Sequence, residues 1–169
     1  MLIDKALESI DFAHALHWHL ELEKYNLDNK PKTKRFYVDV WNELMDELGE
    51  QSPELWKGIR EGRKLKNMMN ELSSRIKEDA SLTTIDARKQ TLREEVATKD
   101  GPHYMEDLGE NGLQSPLDPQ YTYSGVVPPR CTLFTSAIQP ILFMFKAKKA
   151  DTDNEELKGL IFKQGDDLR

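Results

Sequence analysis

The sequence predicts an α+β chain: a helical piece of three to four helices, a linker, and then an incomplete antiparallel β-sheet. Three observations carry that expectation. Apolar residues recur at helical spacing through the first 98 or so positions. Four of the nine glycines and five of the eight prolines crowd between Gly101 and Pro129, a density that marks a linker. The segment from Cys131 to Arg169 holds short runs of β-formers broken by turn residues.

From Leu2 to Leu22, the residues Ile3, Ala6, Leu7, Ile10, Ala13, His17 and Leu20 trace one face of an amphipathic helix. Asn26 to Lys32, with Pro31, ends it. A second helix is predicted from near Thr33, its stripe of Tyr37, Val40, Trp41, Leu44, Met45 and Leu48 running until Gly49. Ser52-Pro53-Glu54 is a third start signal, with a capping serine, a proline at the first helical position and an acid in the first turn. The helix it opens passes Trp56, Ile59, Leu65, Met69, Leu72 and Ile76, with Gly62 as its weak point. A further piece with Ile85, Leu92 and Val96 either continues it or follows a break near Asp79 to Thr84.

Little in the helical half points to chemistry. His14, His17 and His19 cluster in sequence, but His14 and His17 share a face while His19 sits well round the helix. With no cysteine or second histidine group to complete a zinc site, packed or surface roles are favoured. Glu43, Glu47 and Glu50, and the pair Glu94 and Glu95, fall where helices present acids to solvent. Met68 and Met69 fill helix faces.

Within the linker, the part through Ser115 is expected to be mobile, and Pro116 to Pro129 to lie extended against the sheet. Cys131 to Phe134 and Ile141 to Lys146 then form a hairpin, joined by a connection that carries Ser136 and closes on Pro140. A third strand, Leu160 to Lys163, follows a charged loop from Ala147 to Lys158 and ends at Gly165-Asp166-Asp167.

A small sheet of this kind can cover a nucleotide. Phosphoryl transfer asks the protein chiefly to position the triphosphate and neutralise charge on its oxygens. A turn offers backbone N–H groups and a hydroxyl, and a strand lysine offers a fixed positive charge. Ser136 and Lys163 suit those two roles. By pattern alone the plainer alternative, a turn serine and an edge-strand lysine, is the favoured one, because no Gly-rich or Walker signature accompanies them.

The run Leu133-Phe134-Thr135-Ser136-Ala137 through Pro140, with Ile161-Phe162-Lys163-Gln164-Gly165-Asp166-Asp167-Leu168-Arg169, strongly resembles the start of the kinase domain of phosphatidylinositol 3-kinases. Pro116-Leu117-Asp118-Pro119 and Gly125-Val126-Val127-Pro128 look most like the class III branch, the vacuolar-sorting and autophagy type. The helical half matches in order but less specifically. The resemblance implies that residues 1–98 are the C-terminal part of the helical accessory domain, 99–115 a linker and 116–169 the start of the kinase small lobe. It also implies that Ser136 lies in the phosphate-covering loop, that Phe134, Pro140 and Ile161 form the wall over adenine and ribose, and that Lys163 contacts ATP phosphates.

Two departures stand out. Family members often carry a basic residue where this chain has Thr135, and a histidine or asparagine where it has Gln164.

The family's cofactor is ATP with magnesium, manganese being the alternative ion. Its implied substrate is phosphatidylinositol in a membrane, and its implied partners are a protein-kinase-like regulatory subunit and a Beclin-like subunit on endosomal or autophagic membranes. The family's Asp-Arg-His catalytic loop and Asp-Phe-Gly magnesium segment occur nowhere in this sequence. The chain therefore reads as a fragment without catalytic residues or metal ligands of its own. Asp166 and Asp167 are read as turn and cap residues rather than magnesium ligands. The alternatives are another phosphoinositide kinase, of class I or II or acting at the 4-position, and a non-enzymatic helical interaction module.

Bulk properties narrow the field further. The 169 residues, 38% hydrophobic and 32% charged with a mean hydropathy of -0.69, allow one or two small domains with real cores. The net charge of -6 argues against nucleic acid or broad electrostatic membrane binding. One cysteine, Cys131, leaves no internal disulfide framework and suits a reducing compartment. Asp4 and Glu8 interrupt any signal-like apolar stretch. The longest clear apolar run, Ile141 to Phe145, is too short to span a bilayer, so any membrane work is expected to be peripheral.

Overall fold

The computed structural model describes residues 2–27, 30–152 and 154–164. It bears out the α+β expectation: among the described residues, five helices are followed by a five-stranded antiparallel sheet. The helices are α1 (Leu2–Glu8), α2 (Ile10–Asn26), α3 (Pro31–Gln51), α4 (Pro53–Glu78) and α5 (Ile85–Ala97). The strands are β1 (Leu113–Gln114), β2 (Tyr121–Val126), β3 (Thr132–Leu133), β4 (Ile141–Lys149) and β5 (Glu155–Phe162), with a 3-10 turn at Pro128–Arg130. The turn and capping roles read for Gly165, Asp166 and Asp167 lie outside the described residues.

Packing divides the chain into two units, one of residues 1–61 with 116–119, the other of 62–115 with residues 120 onward. In the first, Ala6, Ala13, Leu20, Leu44, Met45, Leu48, Leu55 and Ile59 form the core. The single helix expected over Leu2 to Leu22 is two. Ser9 leaves helical geometry at φ -142 and ψ 116, and its hydroxyl accepts from the Phe12 N–H, which caps α2. Pro31 does not stand outside α3 but opens it, since a first-turn proline lacks only an N–H that would have no helical partner. The Trp41 indole N–H donates to His17 Nδ1 at 3.1 Å, so buried His17 is an interhelical acceptor, and among the described residues no His, Cys, Asp or Glu group could hold a metal.

The second unit is built on one strongly alternating strand. β4 buries Ile141, Phe143, Phe145 and Ala147 and turns Leu142, Met144, Lys146 and Lys148 the other way. Against the buried face lie Leu65, Met69, Leu72 and Ile76 of α4 and Leu92 and Val96 of α5. Tyr123 stacks on Phe145 with centroids 4.4 Å apart. α4 runs unbroken through Gly62, and the break between α4 and α5 is real.

Two stretches differ from their expected form. The Ala147 to Lys158 loop is mostly ladder, because β4 continues its alternation to Lys149 and β5 begins at Glu155 opposite Lys148. Residues 99–115 are woven into the unit: Met105 is fully buried, its N–H and that of Glu106 donate to the Val96 carbonyl, and Leu113 pairs with Tyr123. The chain there passes so close to β2 that a Cβ on Gly125 would sit 2.1 Å from the Glu106 carbonyl oxygen. Only glycine accommodates that approach, at the point where the β2–β4 register shifts. Among the described residues, no helix is long and apolar enough to cross a membrane.

Candidate functional site

The register of three strands assembles the site. Leu133 of β3 pairs with Ile141 of β4, which pairs with Phe162 of β5. The turn after β3 and the residue after β5 therefore lie at the same end of the sheet. Ser136 is in that turn and Lys163 is that residue, and both are exposed.

One step further along, Thr132, Leu142 and Ile161 form a row across the sheet on the face opposite the core. Ile161 is 54% exposed and Phe134 40%. Gly159 faces Met144, and a Cβ there would lie 3.2 Å from Leu142 Cδ1 and 3.6 Å from Met144 Cε, so its missing side chain leaves this part of the face shallow. Leu142, Met144, Gly159 and Ile161 thus form an apolar stretch of the face opposite the core. Ile161, Ser136 and Lys163, which the resemblance assigns to a nucleotide, lie at or near one end of the sheet. They do not fit a metal, which no side-chain cluster among the described residues could ligate.

Pro140 differs from the other four sequence-predicted residues in being buried. Its carbonyl accepts from the Phe134 N–H at 2.9 Å and closes the turn from below. Within the turn the Gln139 N–H donates to the Ser136 carbonyl at 3.0 Å, with Gln139 at φ 43. That left-handed residue is held in place by Arg88 of α5, whose Nη1 donates to the Gln139 side-chain oxygen while its Nε donates to the Leu82 carbonyl at 2.9 Å. Arg93, further along α5, donates to the Cys131 carbonyl at 3.1 Å. Buried Cys131 is a packing residue, and burial pushes its thiol pKa up.

The other end of the site is tied to α4. Gln164 Nε2 donates to Ser74 Oγ at 2.6 Å, and Lys77 Nζ donates to the Gln164 carbonyl at 3.5 Å. Local pattern gave no signal for Arg88, Arg93, Ser74 or Lys77, which look like ordinary polar positions on amphipathic helices. The departure at Gln164 was the one sequence-level pointer to this corner.

Comparison with known proteins adds a consistent set of names. The chain is 29% identical over 177 residues to a phosphatidylinositol 3-kinase, pik3, of Schizosaccharomyces pombe, a match covering 99% of this chain and 19% of that protein. It is 30% identical over 179 residues to the phosphatidylinositol 3-kinase catalytic subunit type 3 of Caenorhabditis elegans, again 99% of this chain and 19% of the relative. A third relative, phosphatidylinositol 3-kinase age-1 of Caenorhabditis briggsae, is 29% identical over 170 residues, covering 100% of this chain and 14% of its own length. The chain thus spans about a fifth or less of the length of these relatives. No protein-family model matches it.

Proposed function

We propose that the chain is a portion of a phosphatidylinositol 3-kinase, comprising the end of its helical accessory domain (residues 1–98), a connection (99–115) and the start of its ATP-binding small lobe (116–169). The observation that carries this reading is the match, end to end, to proteins that all bear that name. The sheet geometry supports it independently, by bringing an apolar face, an exposed turn serine and an exposed lysine to one region.

In the complete enzyme the γ-phosphate of MgATP passes to the 3-hydroxyl of phosphatidylinositol. Phe134, Pro140 and Ile161 border the base and ribose, Ser136 covers phosphate and Lys163 pairs with phosphate charge. Magnesium would supply charge neutralisation there, and Asp166 and Asp167 are not assigned to hold it. The class III assignment, with work on endosomal and autophagic membranes beside regulatory subunits, rests on the Pro116–Pro119 and Gly125–Pro128 motifs. The name of the Caenorhabditis elegans relative supports it.

The test is a chimera in which residues 1–169 replace the matching stretch of the Schizosaccharomyces pombe enzyme. It is expected to make phosphatidylinositol 3-phosphate, and Lys163→Met is expected to lower the rate by about 10²-fold or more, as for loss of a preorganised charge on a transferring phosphate. The 169-residue chain alone is expected to make none. A folded chimera whose activity ignores Lys163→Met, or product from the chain alone, would overturn the proposal.

A further inference from the structure

Lys163 sits where the sheet stops supporting the backbone. β5 ends at Phe162, which pairs with Ile141 and packs against the core. Among the described residues no ladder partner holds the chain beyond it, so whatever fixes the residue after Lys163 bears on where the lysine's backbone directs its side chain. That residue is Gln164, and it is fixed twice. Its side-chain amide donates to Ser74 Oγ at 2.6 Å, and its backbone carbonyl accepts from Lys77 Nζ at 3.5 Å. Ser74 and Lys77 are three apart on α4 and so share a face of that helix. The two bonds form a clasp between the end of β5 and one helical turn.

A lysine carries an ammonium on a flexible four-carbon stem, and fixing its backbone on both sides shrinks the volume the charge can explore. Phosphate charge is met best by a group already in place. We infer that Gln164 is a positioning residue for Lys163, tying the end of β5 to Ser74 and Lys77 of α4 so that the ammonium is presented to the phosphates of a nucleoside triphosphate. This rests on the nucleotide reading proposed above and adds to it a dependence on α4: a helix in the sequence-defined accessory half sets the aim of the phosphate lysine.

The experiment uses the 169-residue chain labelled with ¹³Cε-lysine, with the Lys163 resonance assigned by Lys163→Arg. Gln164→Ala and Ser74→Ala are each expected to sharpen that resonance and move it toward the position of free lysine. The double variant should do no more than either single one, because both cut the same bond. The resonances of Lys146 and Lys148 on β4 should stay in place, which a general loosening of the fold would not allow.

Titrated with MgATP, the wild-type chain should show the Lys163 resonance moving, and the clasp variants should bind about fivefold more weakly, the size of one lost hydrogen bond. A Lys163 resonance unchanged by both substitutions would overturn the clasp whatever the nucleotide does. A resonance that responds to the substitutions but not to MgATP would uphold the clasp and overturn the nucleotide reading.

Discussion

Asp79 is a half-buried carboxylate with an unusually complete set of donors. The Ser81 hydroxyl lies 2.5 Å away, Arg75 Nη1 2.6 Å and the Ser81 N–H 2.9 Å. The Ser81 hydroxyl first, then Arg75 and the Ser81 N–H, hold its pKa down to about 2 against an ordinary 3.8. These bonds close α4 and start the turn toward α5, so the charge has a structural use. A folded-state pKa below the unfolded one means that the carboxylate's contribution is present above 3.8 and is lost as pH falls toward 2. Asp79→Ala is expected to lower the thermal midpoint near neutral pH. The gap from wild type should narrow as acid is added, and close at about pH 2 or just below. An equal gap in acid and at neutrality would show that the charge is not what the turn uses.

At the scale of elements, legibility followed how much of each signal was local. α4 was readable because its proline, first-turn acid and apolar stripe lie within a few turns of one another, and α3 from its apolar stripe alone. Ser9 was not, because it interrupts a continuous apolar stripe, and three residues on it meets Phe12 rather than the acid or glutamine of a capping box. Its cap bond is still expected to matter: Ser9→Ala should cost about 1 kcal/mol in denaturant unfolding, and Ser9→Asp much less, since aspartate caps equally well. No loss on Ser9→Ala would mean that α1 and α2 are separated by packing instead.

β2 was hidden by its glycine and its proline-rich surroundings, and the first half of β5 by its charges, Glu155, Glu156 and Lys158. For the candidate site, Phe134, Ser136, Pro140, Ile161 and Lys163 come from the tail's resemblance, and strand register puts the turn after β3 and the residue after β5 at one end of the sheet. The hold of Arg88 on Gln139 and of Ser74 on Gln164 joins residues 51 and 90 positions apart. No local pattern encodes that.

Over the whole molecule, the line between helical half and sheet drawn from composition does not coincide with a line between cores. Leu55 and Ile59 of α4 belong to one core, while Leu65, Met69, Leu72 and Ile76 of the same helix belong to the core of the sheet. A piece cut at residue 116 would keep β2 to β5 but lose every α4 and α5 side chain under Phe143 and Phe145, together with Met105 and strand β1. Full burial of a Phe or Ile side chain contributes about 1.5–3 kcal/mol. Re-exposing much of the face made by Ile141, Phe143 and Phe145 therefore removes an amount comparable to the whole stability of a small domain, about 5–15 kcal/mol. The bonds that Arg93 and Arg88 donate and the one that Ser74 accepts go with it. In the full chain, the β4 amides of Phe143 and Phe145 are expected to resist hydrogen exchange. In residues 116–169 alone they should exchange at the rate of an unfolded chain, and the piece should self-associate through its open strand edges. Strong protection of those two amides in the isolated piece would show that the strands carry their own stability, and that α4 and α5 serve the sheet only by aiming what it presents.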